Sequence, residues 1–448
     1  MVGSSRARYI PAEVNPDRVL GALMHRIALL SVVIALAPAP ASGRAGQRPR
    51  AEARCAPDNG GITLPSGFCA TIFADSLAQP RHLVVAPNGD VFVALSGGGV
   101  MALRDRNGDG IADERNKIGT ARATEVALFD GYLYTENGTD ILRYKLAAGS
   151  LTPTGEAEEV VTGLPPKGHG AKTFTIARNG SLYVNVGSRT NSCQSSDRTP
   201  EVAGVDPCTE LETRAGIWRF DARKLHQTQA QGEHFARGIR NAVAITINPR
   251  DGDLYVMQHG RDQLGSGPAN WPKLYNAEQG AELPAEEMFH VKQGDDFGWP
   301  YCYFDPDQKK KVLAPEYGGD GKEVGRCATK KGNIAYFPAH WAPNGLLFYT
   351  GSLFPARYRE GAFIAFHGSW NRAPLPQAGF NVVFQPLKNG RADGAYEIFA
   401  NGFAPNLTGQ SGRGSGNRRP VGLAQAPDGA LYITDDASGR IWKVVSTK

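Results

Sequence analysis

Three arginines, Arg81, Arg240 and Arg419, stand at matching places in a repeated phrase, each just ahead of an apolar run. Cations aimed at one point repel unless an anion lies between them, and the guanidinium fork matches a carboxylate in two places. Together they point to a ligand with several carboxylates. Each alone reads as a solvated loop charge or a strap to a neighbouring element. His169 stands in the same kind of position, within Gly168-His169-Gly170-Ala171-Lys172. A neutral imidazole accepts a proton near neutral pH, which makes His169 the candidate base, with His259 and His367 as alternates on the same face. The sequence has no Ser/His/Asp order suggesting a hydrolase, no GxGxxG opening a helix and no phosphate loop.

These positions are defined by a phrase that recurs six times: a turn, an apolar or alternating strand, then a polar run. The copies are APNGDVFVALSGG (86–98), FDGYLYTENG (129–138), ARNGSLYVNVGSR (177–189), NPRDGDLYVMQHGRD (248–262), YREGAFIAFHGSWN (358–371) and APDGALYITDDASG (426–439). The Asn-Gly, Asp-Gly and Glu-Gly pairs permit positive φ at a tight turn. The runs after them alternate or are wholly apolar, as buried strands are. The 54 Gly and 30 Pro suit a fold built on turns. Six strand units without helical periodicity predict an all-β chain, a six-bladed β-propeller with long loop insertions. The 448 residues then make one large domain rather than two or three. In a blade the chain meanders outward from the central channel. Residues just before each first strand and just after each second strand therefore converge on one face, and the Asn-Gly turns lie on the other.

Asp105, Asn107, Asp109 and Asp113, with Gly110 at the sixth place, match the first half of an EF-hand-like calcium loop. The twelfth place is Asn116 rather than Glu, and an Asx-rich turn between strands stands as the alternative. A calcium ion there would be structural and away from the channel.

Six cysteines pair as sequence neighbours: Cys55 with Cys69, Cys193 with Cys208, Cys302 with Cys327. An even count suits an exported, disulfide-bearing chain, and a metal site lacks any CxxC or close Cys/His spacing. His25-Arg26, the apolar run 27–37 and the small residues 38–42 read as a targeting segment over 1–43, with the true start at Met24. That run is too short to anchor the mature chain in a bilayer. Residues 44–61 read as a flexible N-terminus, and 62–448 as the propeller. The formal charge is +5, and no long Lys/Arg run supports nucleic-acid binding. The expected location is periplasmic or extracellular.

Six blocks in order resemble the family of pyrroloquinoline quinone (PQQ)-dependent glucose/sorbosone dehydrogenases, in particular its L-sorbosone dehydrogenase-like branch. They are GHGAKTFTIARNGSLYVNVGS (168–188), RGIRNAVAITINPRDGDLYVMQHG (237–260), GDDFGWPYC (294–302), APNGLLFYTG (342–351), FIAFHGSWNR (363–372) and RPVGLAQAPDGALYITDDASGRIWKV (419–444). The resemblance covers about residues 62 to 445. It implies PQQ, with three carboxylates, across the channel mouth, and His169 as the base that removes the substrate's hydroxyl proton. It implies that Arg240, Asn241 and Arg419 bind the cofactor, joined by Arg81, Lys172 and His367. It places a Ca²⁺ on the backbone carbonyls of Gly260 and Arg261, and Trp299 and Trp370 beside the substrate. The implied partners are a small sugar or sugar aldehyde and an external electron acceptor, a quinone or cytochrome. Departures from the family pattern are Lys172 for Arg, Gln258 for Glu, Arg261 for Pro and Thr350 for Lys. Two other readings compete: a calcium-dependent propeller lactonase or hydrolase, which would want a carboxylate-led channel, and a non-catalytic binding propeller.

Overall fold

Residues 55–268, 270–405, 407 and 417–447 are described by the computed structural model. The expected targeting segment 1–43, its start at Met24, and residues 44–54 lie outside them.

The Gly-bearing turns reverse the chain between the first and second strands of antiparallel sheets. Gly89, Gly131, Gly180, Gly252 and Gly429 all have φ between +76° and +94°, a region open to glycine at little cost. The fifth copy in chain order differs. Glu360-Gly361 ends a longer connection through the 3₁₀ turn Ala356–Arg359, and Gly361 is required because a Cβ would run into the Gln385 carbonyl of the next strand.

Among the described residues the strands form six blade sheets and, in an insertion, one two-stranded hairpin, Cys302–Asp305 with Lys310–Leu313. Blade 1 runs Pro80–Val85, Val91–Leu95, Val100–Arg104, Glu114–Ile118. Blade 2 runs Val126–Phe129, Tyr132–Glu136, Ile141–Lys145, Thr154–Thr162. Blade 3 runs Phe174–Ile176, Ser181–Val186, Gly216–Asp221, Glu233–Arg237. Blade 4 runs Ala244–Ile247, Leu254–Gln258, Glu286–Val291, Ala335–Phe337. Blade 5 runs Pro343–Phe348, Gly361–Phe366, Asn381–Lys388, Glu397–Ala400. Blade 6 runs Pro420–Gln425, Leu431–Asp435, Arg440–Ser446 and is completed by the N-terminal strand Phe68–Ala74, paired antiparallel with Phe68 opposite Ser446. That last pairing closes the ring and leaves no open seam between the chain's ends. The six first strands neighbour one another in turn around the channel.

Aromatic side chains fill the gap between blades 5 and 6: Tyr349, Phe354, Tyr358, Phe363 and Trp442 are wholly buried there. Each contributes on the order of 2–3 kcal/mol of apolar burial. Residues 55–61, within the stretch read as flexible, are tied down against blade 6. Ala56 N donates to Ala70 O, and Gly60 O accepts from Trp442 Nε1.

The three cysteine pairs are bonded as the neighbour rule sets them. Cys193–Cys208 closes an insertion in blade 3 and Cys302–Cys327 one in blade 4. Both bridges pack in one cluster with Trp299, Tyr301 and Leu313. Replacing Cys193 and Cys208 by serine is expected to cost about 2–4 kcal/mol in a thermal or urea melt, the usual value for a loop of this length. Free thiols at these two positions in a non-reducing mass map of the wild type would contradict the pairing. No helix among the described residues is long and apolar enough to cross a membrane.

Candidate active site

His169 leads into the first strand of blade 3. Its loop needs glycine twice. Gly168 has φ +65° and a Cβ there would meet Arg189 Cα at 2.5 Å, while a Cβ on Gly187 would meet His169 Cβ at 2.6 Å. The imidazole Nδ1 lies 2.9 Å from Ser188 O and 3.1 Å from Ser188 Oγ. Ser188 Oγ gives its own hydrogen to Thr190 O at 2.7 Å. Both oxygens can only accept from the ring, so Nδ1 carries the proton and Nε2 keeps its lone pair. Burial first, and the Arg240 cation second, hold the His169 imidazole well below its ordinary range. It is therefore neutral, and able to accept a proton, throughout the neutral pH range.

Arg240 leads into blade 4 and is 3% exposed. Its Nη1 donates to Gly260 O at 2.9 Å, and its Nη2 to Asn191 Oδ1 and Asp262 Oδ2, both at 3.0 Å. Asp262 is the hub of this side of the mouth. It also accepts from Arg198 Nη2 at 2.6 Å and from Asn371 Nδ2 at 3.0 Å. Burial alone would raise its carboxyl, but Arg240 and Arg198 outweigh burial and hold it below the usual carboxylate range. Asn241 Oδ1 accepts from Asn185 Nδ2 at 3.2 Å, which ties the lead-in of blade 4 to the second strand of blade 3.

The other side of the mouth is built from blades 1, 5 and 6. Arg81 Nη1 donates to Asp436 Oδ2 at 2.6 Å, and His367 Nε2 to Asp436 Oδ1 at 2.8 Å. Arg419 donates through Nε to His367 O and through Nη2 to Gly368 O. His259 Nε2 donates to Pro343 O at 2.9 Å. His259 and His367 are each pushed down to about 4, burial being the first cause in both.

The structure sets several of the expected site residues among partners that the sequence does not show. The anions among the arginines are the chain's own Asp262 and Asp436, so a ligand is not needed to keep the cations together. Lys172 is wholly buried, donates to Gly170 O at 2.9 Å and braces the His169 loop from behind. Burial pushes its ammonium down to about 8, against the pull of Glu136. Trp299 is 4% exposed and donates to Asn191 O, so it supports the residue that accepts from Arg240. Trp370, by contrast, is 52% exposed. The Arg261 side chain turns away into a buried pair with Glu316. Gly260 N donates to Glu286, whose carboxyl burial raises to about 7.

The 105–113 loop lies on the far face, beside the turn at Asn88-Gly89. Asp105 accepts from Gly108 N and Gly110 N, Asp109 from Ile111 N, and Asp113 from Arg106 N. Asn107 Oδ1 accepts from Asp109 N. These are Asx-turn contacts. Among the described residues no group of three or more His, Cys, Asp or Glu side chains is placed to hold a metal ion.

The buried imidazoles give stability a pH dependence. His169, His340 and His367 are all lowered from an ordinary 6.5, burial being the first cause in each. Between about 6.5 and the folded values the unfolded chain binds more protons, so their stabilisation, complete above 6.5, is lost as pH falls. Each group costs about 1.4 kcal/mol per pH unit in that window. Glu286, raised to about 7, works the other way, as do the raised carboxyls of Glu136 and Asp435, but with His234 and His259 also lowered, five histidines outweigh three carboxyls. Melts of the apo-protein are expected to show Tm falling steeply from pH 6.5 to 5. A flat Tm would mean that these rings take up protons freely in the fold.

Fold and site together define a six-bladed propeller whose channel mouth carries the neutral imidazole of His169 among arginines. The chain belongs to the TrAA12-like family, whose model matches residues 62–447. It is similar to the PQQ-dependent pyranose dehydrogenase of Coprinopsis cinerea, 24% identical over 427 residues. That alignment covers 85% of this chain and 54% of the relative, so the chain spans about half of that enzyme's length. The holo PQQ domain of pyranose dehydrogenase from C. cinerea superposes with a TM-score of 0.68 at 22% identity, covering 86% of this chain and 97% of that one. A Trichoderma reesei carbohydrate-active enzyme of family AA12, in its iodide structure, superposes with a TM-score of 0.71 at 20% identity, over 86% and 97% of the two chains.

Proposed function

We propose that this protein is a PQQ-dependent sugar dehydrogenase that oxidises an aldose or sugar aldehyde, sorbosone-like in class, and passes the electrons to an external quinone or cytochrome. The observation that carries the reading is His169: Nδ1 is fixed on a backbone carbonyl, and the Nε2 lone pair is kept at a mouth ringed by arginines. The residues present fit the cofactor. A Cβ on Gly170 would meet nothing within 4 Å, so the His169 loop borders open space. Arg81, Arg240, Asn241, His367 and Arg419 would hold a flat tricarboxylate there. Gly260 and Arg261 would offer Ca²⁺ their carbonyls, with Asp262 next in the chain adding negative charge. Gly260 O, which accepts from Arg240 Nη1, would then offer the ion its second lone pair.

When bound, PQQ supplies a two-electron acceptor. The chain's own part is proton handling and placement. His169 takes the substrate's hydroxyl proton at Nε2, and the Nδ1–H bond to Ser188 O steadies the resulting imidazolium. Lys172 and the two flanking glycines fix that loop, and Trp370 offers an exposed ring at the mouth to the sugar. The three disulfides support export, with 1–43 as the targeting segment, to the periplasm or the exterior.

The test is reconstitution. PQQ and Ca²⁺ are added to purified apo-protein, binding is titrated by fluorescence, and dye reduction is followed with a panel of aldoses and sugar aldehydes. Saturable PQQ uptake with reduction by at least one sugar is expected. Uptake of no PQQ would reject the reading. Uptake with aldose but no aldehyde oxidation would reject the sorbosone-like branch alone.

A further inference from the structure

The turn after the second strand of blade 6 carries two adjacent carboxylates with different work. Asp435 is wholly buried and builds the turn: its Oδ1 accepts from Arg419 N at 2.8 Å and from Ala437 N at 2.9 Å. Asp436 reaches instead across two blade boundaries. Its Oδ2 takes Arg81 Nη1 at 2.6 Å from blade 1, and its Oδ1 takes His367 Nε2 at 2.8 Å from blade 5. Arg419 clamps the loop that carries His367 by donating to the carbonyls of His367 and Gly368. One carboxylate thus occupies the place among three cationic or imidazole side chains where a ligand's carboxylate would be received. The side chains of Arg81 and Asp436 are 13% and 16% exposed, so the pair is partly shielded from solvent yet open to the mouth.

We infer that Asp436 is a built-in competitor for the ligand's carboxylate, and so sets how tightly the site holds a polyanion. This rests on the proposed function for the identity of the ligand as PQQ. A ligand carboxylate approaching Arg81 finds the guanidinium engaged and a like charge behind it. Removing one like charge from a partly shielded site changes binding by roughly tenfold or more. A purely structural Asp436 predicts the opposite sign. In that case its loss would unseat Arg81 and His367 and weaken binding.

Asp436→Asn keeps the shape and removes the charge. Two probes are titrated into apo-protein: PQQ by fluorescence quenching, and citrate, a plain tricarboxylate, by the rise it causes in Tm. The variant is expected to bind PQQ about tenfold more tightly than wild type at low salt, with the gap closing at 0.5 M NaCl, since salt screens the term involved. Citrate is expected to raise the variant's Tm more than the wild type's. Asp436→Ser, which leaves a hydroxyl for His367, is expected to behave alike and serves if the asparagine variant folds poorly. Equal or weaker binding of both probes by the neutral variants overturns the inference. Wild type that takes up no PQQ overturns the cofactor reading instead, and the citrate comparison then decides the role of Asp436 by itself.

Discussion

Replacing His169 by alanine is expected to lower kcat by roughly 10²–10⁴-fold while PQQ still binds, the usual range for loss of a general base. An alcohol or aldehyde hydrate gives up hydride readily only as its hydroxyl proton leaves, so the proton needs a placed acceptor. The imidazole meets that need because its tautomer is settled by Ser188 rather than by a titrating partner. Its pH behaviour departs from the simple expectation of a rate limb near neutrality. Burial and the Arg240 cation move the acid limb well below the ordinary histidine range. Wild-type kcat is therefore expected to stay level from pH 6 to 8 as far as this group is concerned. Asparagine in its place is expected to be nearly as damaging as alanine, since an amide accepts hydrogen bonds but not protons. Single-turnover rates and PQQ titrations on both variants check this. His169→Ala within a few-fold of wild type, beside an inactive His367→Ala, would move the base to His367.

The architecture was legible because its signal is repeated. Five turns place Gly at positive φ in the same step of the blade, and each is followed by a strand whose burial is nearly continuous, as in Val91–Leu95 and Leu431–Asp435. The one irregular copy, at Glu360-Gly361, kept its strand but lost its tight turn, because the glycine there answers to a close carbonyl and not to a backbone angle. The closure of blade 6 by Phe68–Ala74 had no such signal. An outermost strand from the far end of the chain is a long-range pairing, and no local pattern marks it.

The site was legible in its cations and illegible in their counter-charges. Arg81, Arg240 and Arg419 were found by register alone, and the inference that something anionic must lie between them was sound physics. It points to a ligand's carboxylates and leaves out the two the chain itself supplies, Asp262 and Asp436. Asp262 and Asp436 follow second strands, where aspartate is also an ordinary turn residue, so nothing local separates them from Asp435. Arg198 and Asn191 sit in a blade 3 insertion outside the repeat, and only the fold brings them to Asp262 and Arg240. The family resemblance puts Trp299 in a loop beside the substrate, because its block follows the family pattern. Its burial beneath Asn191 is a tertiary fact that the block does not contain.

The second large effect concerns Arg240. Alanine there is expected to destabilise the apo-protein by about 3–5 kcal/mol, because breaking a buried pair leaves the other charge without its partner. Arg198 still faces Asp262 and holds the loss toward the lower end. Asn191 Oδ1 and Gly260 O lose a donor at the same time, which loosens the Gly260 turn and the blade 3 insertion together. PQQ affinity is expected to fall at least tenfold, as for one charge-assisted contact. Lysine should restore only part of either quantity, since one ammonium cannot serve Asn191, Gly260 and Asp262 along the three directions a planar fork covers. Arg419→Ala is the informative comparison. Arg419 donates to the carbonyls of His367 and Gly368, neutral acceptors that carry no charge of their own. Its loss should cost clearly less stability than that of Arg240 while still weakening PQQ binding. Equal melting temperatures for the two variants would show that Asp262 does not depend on Arg240 for its charge balance.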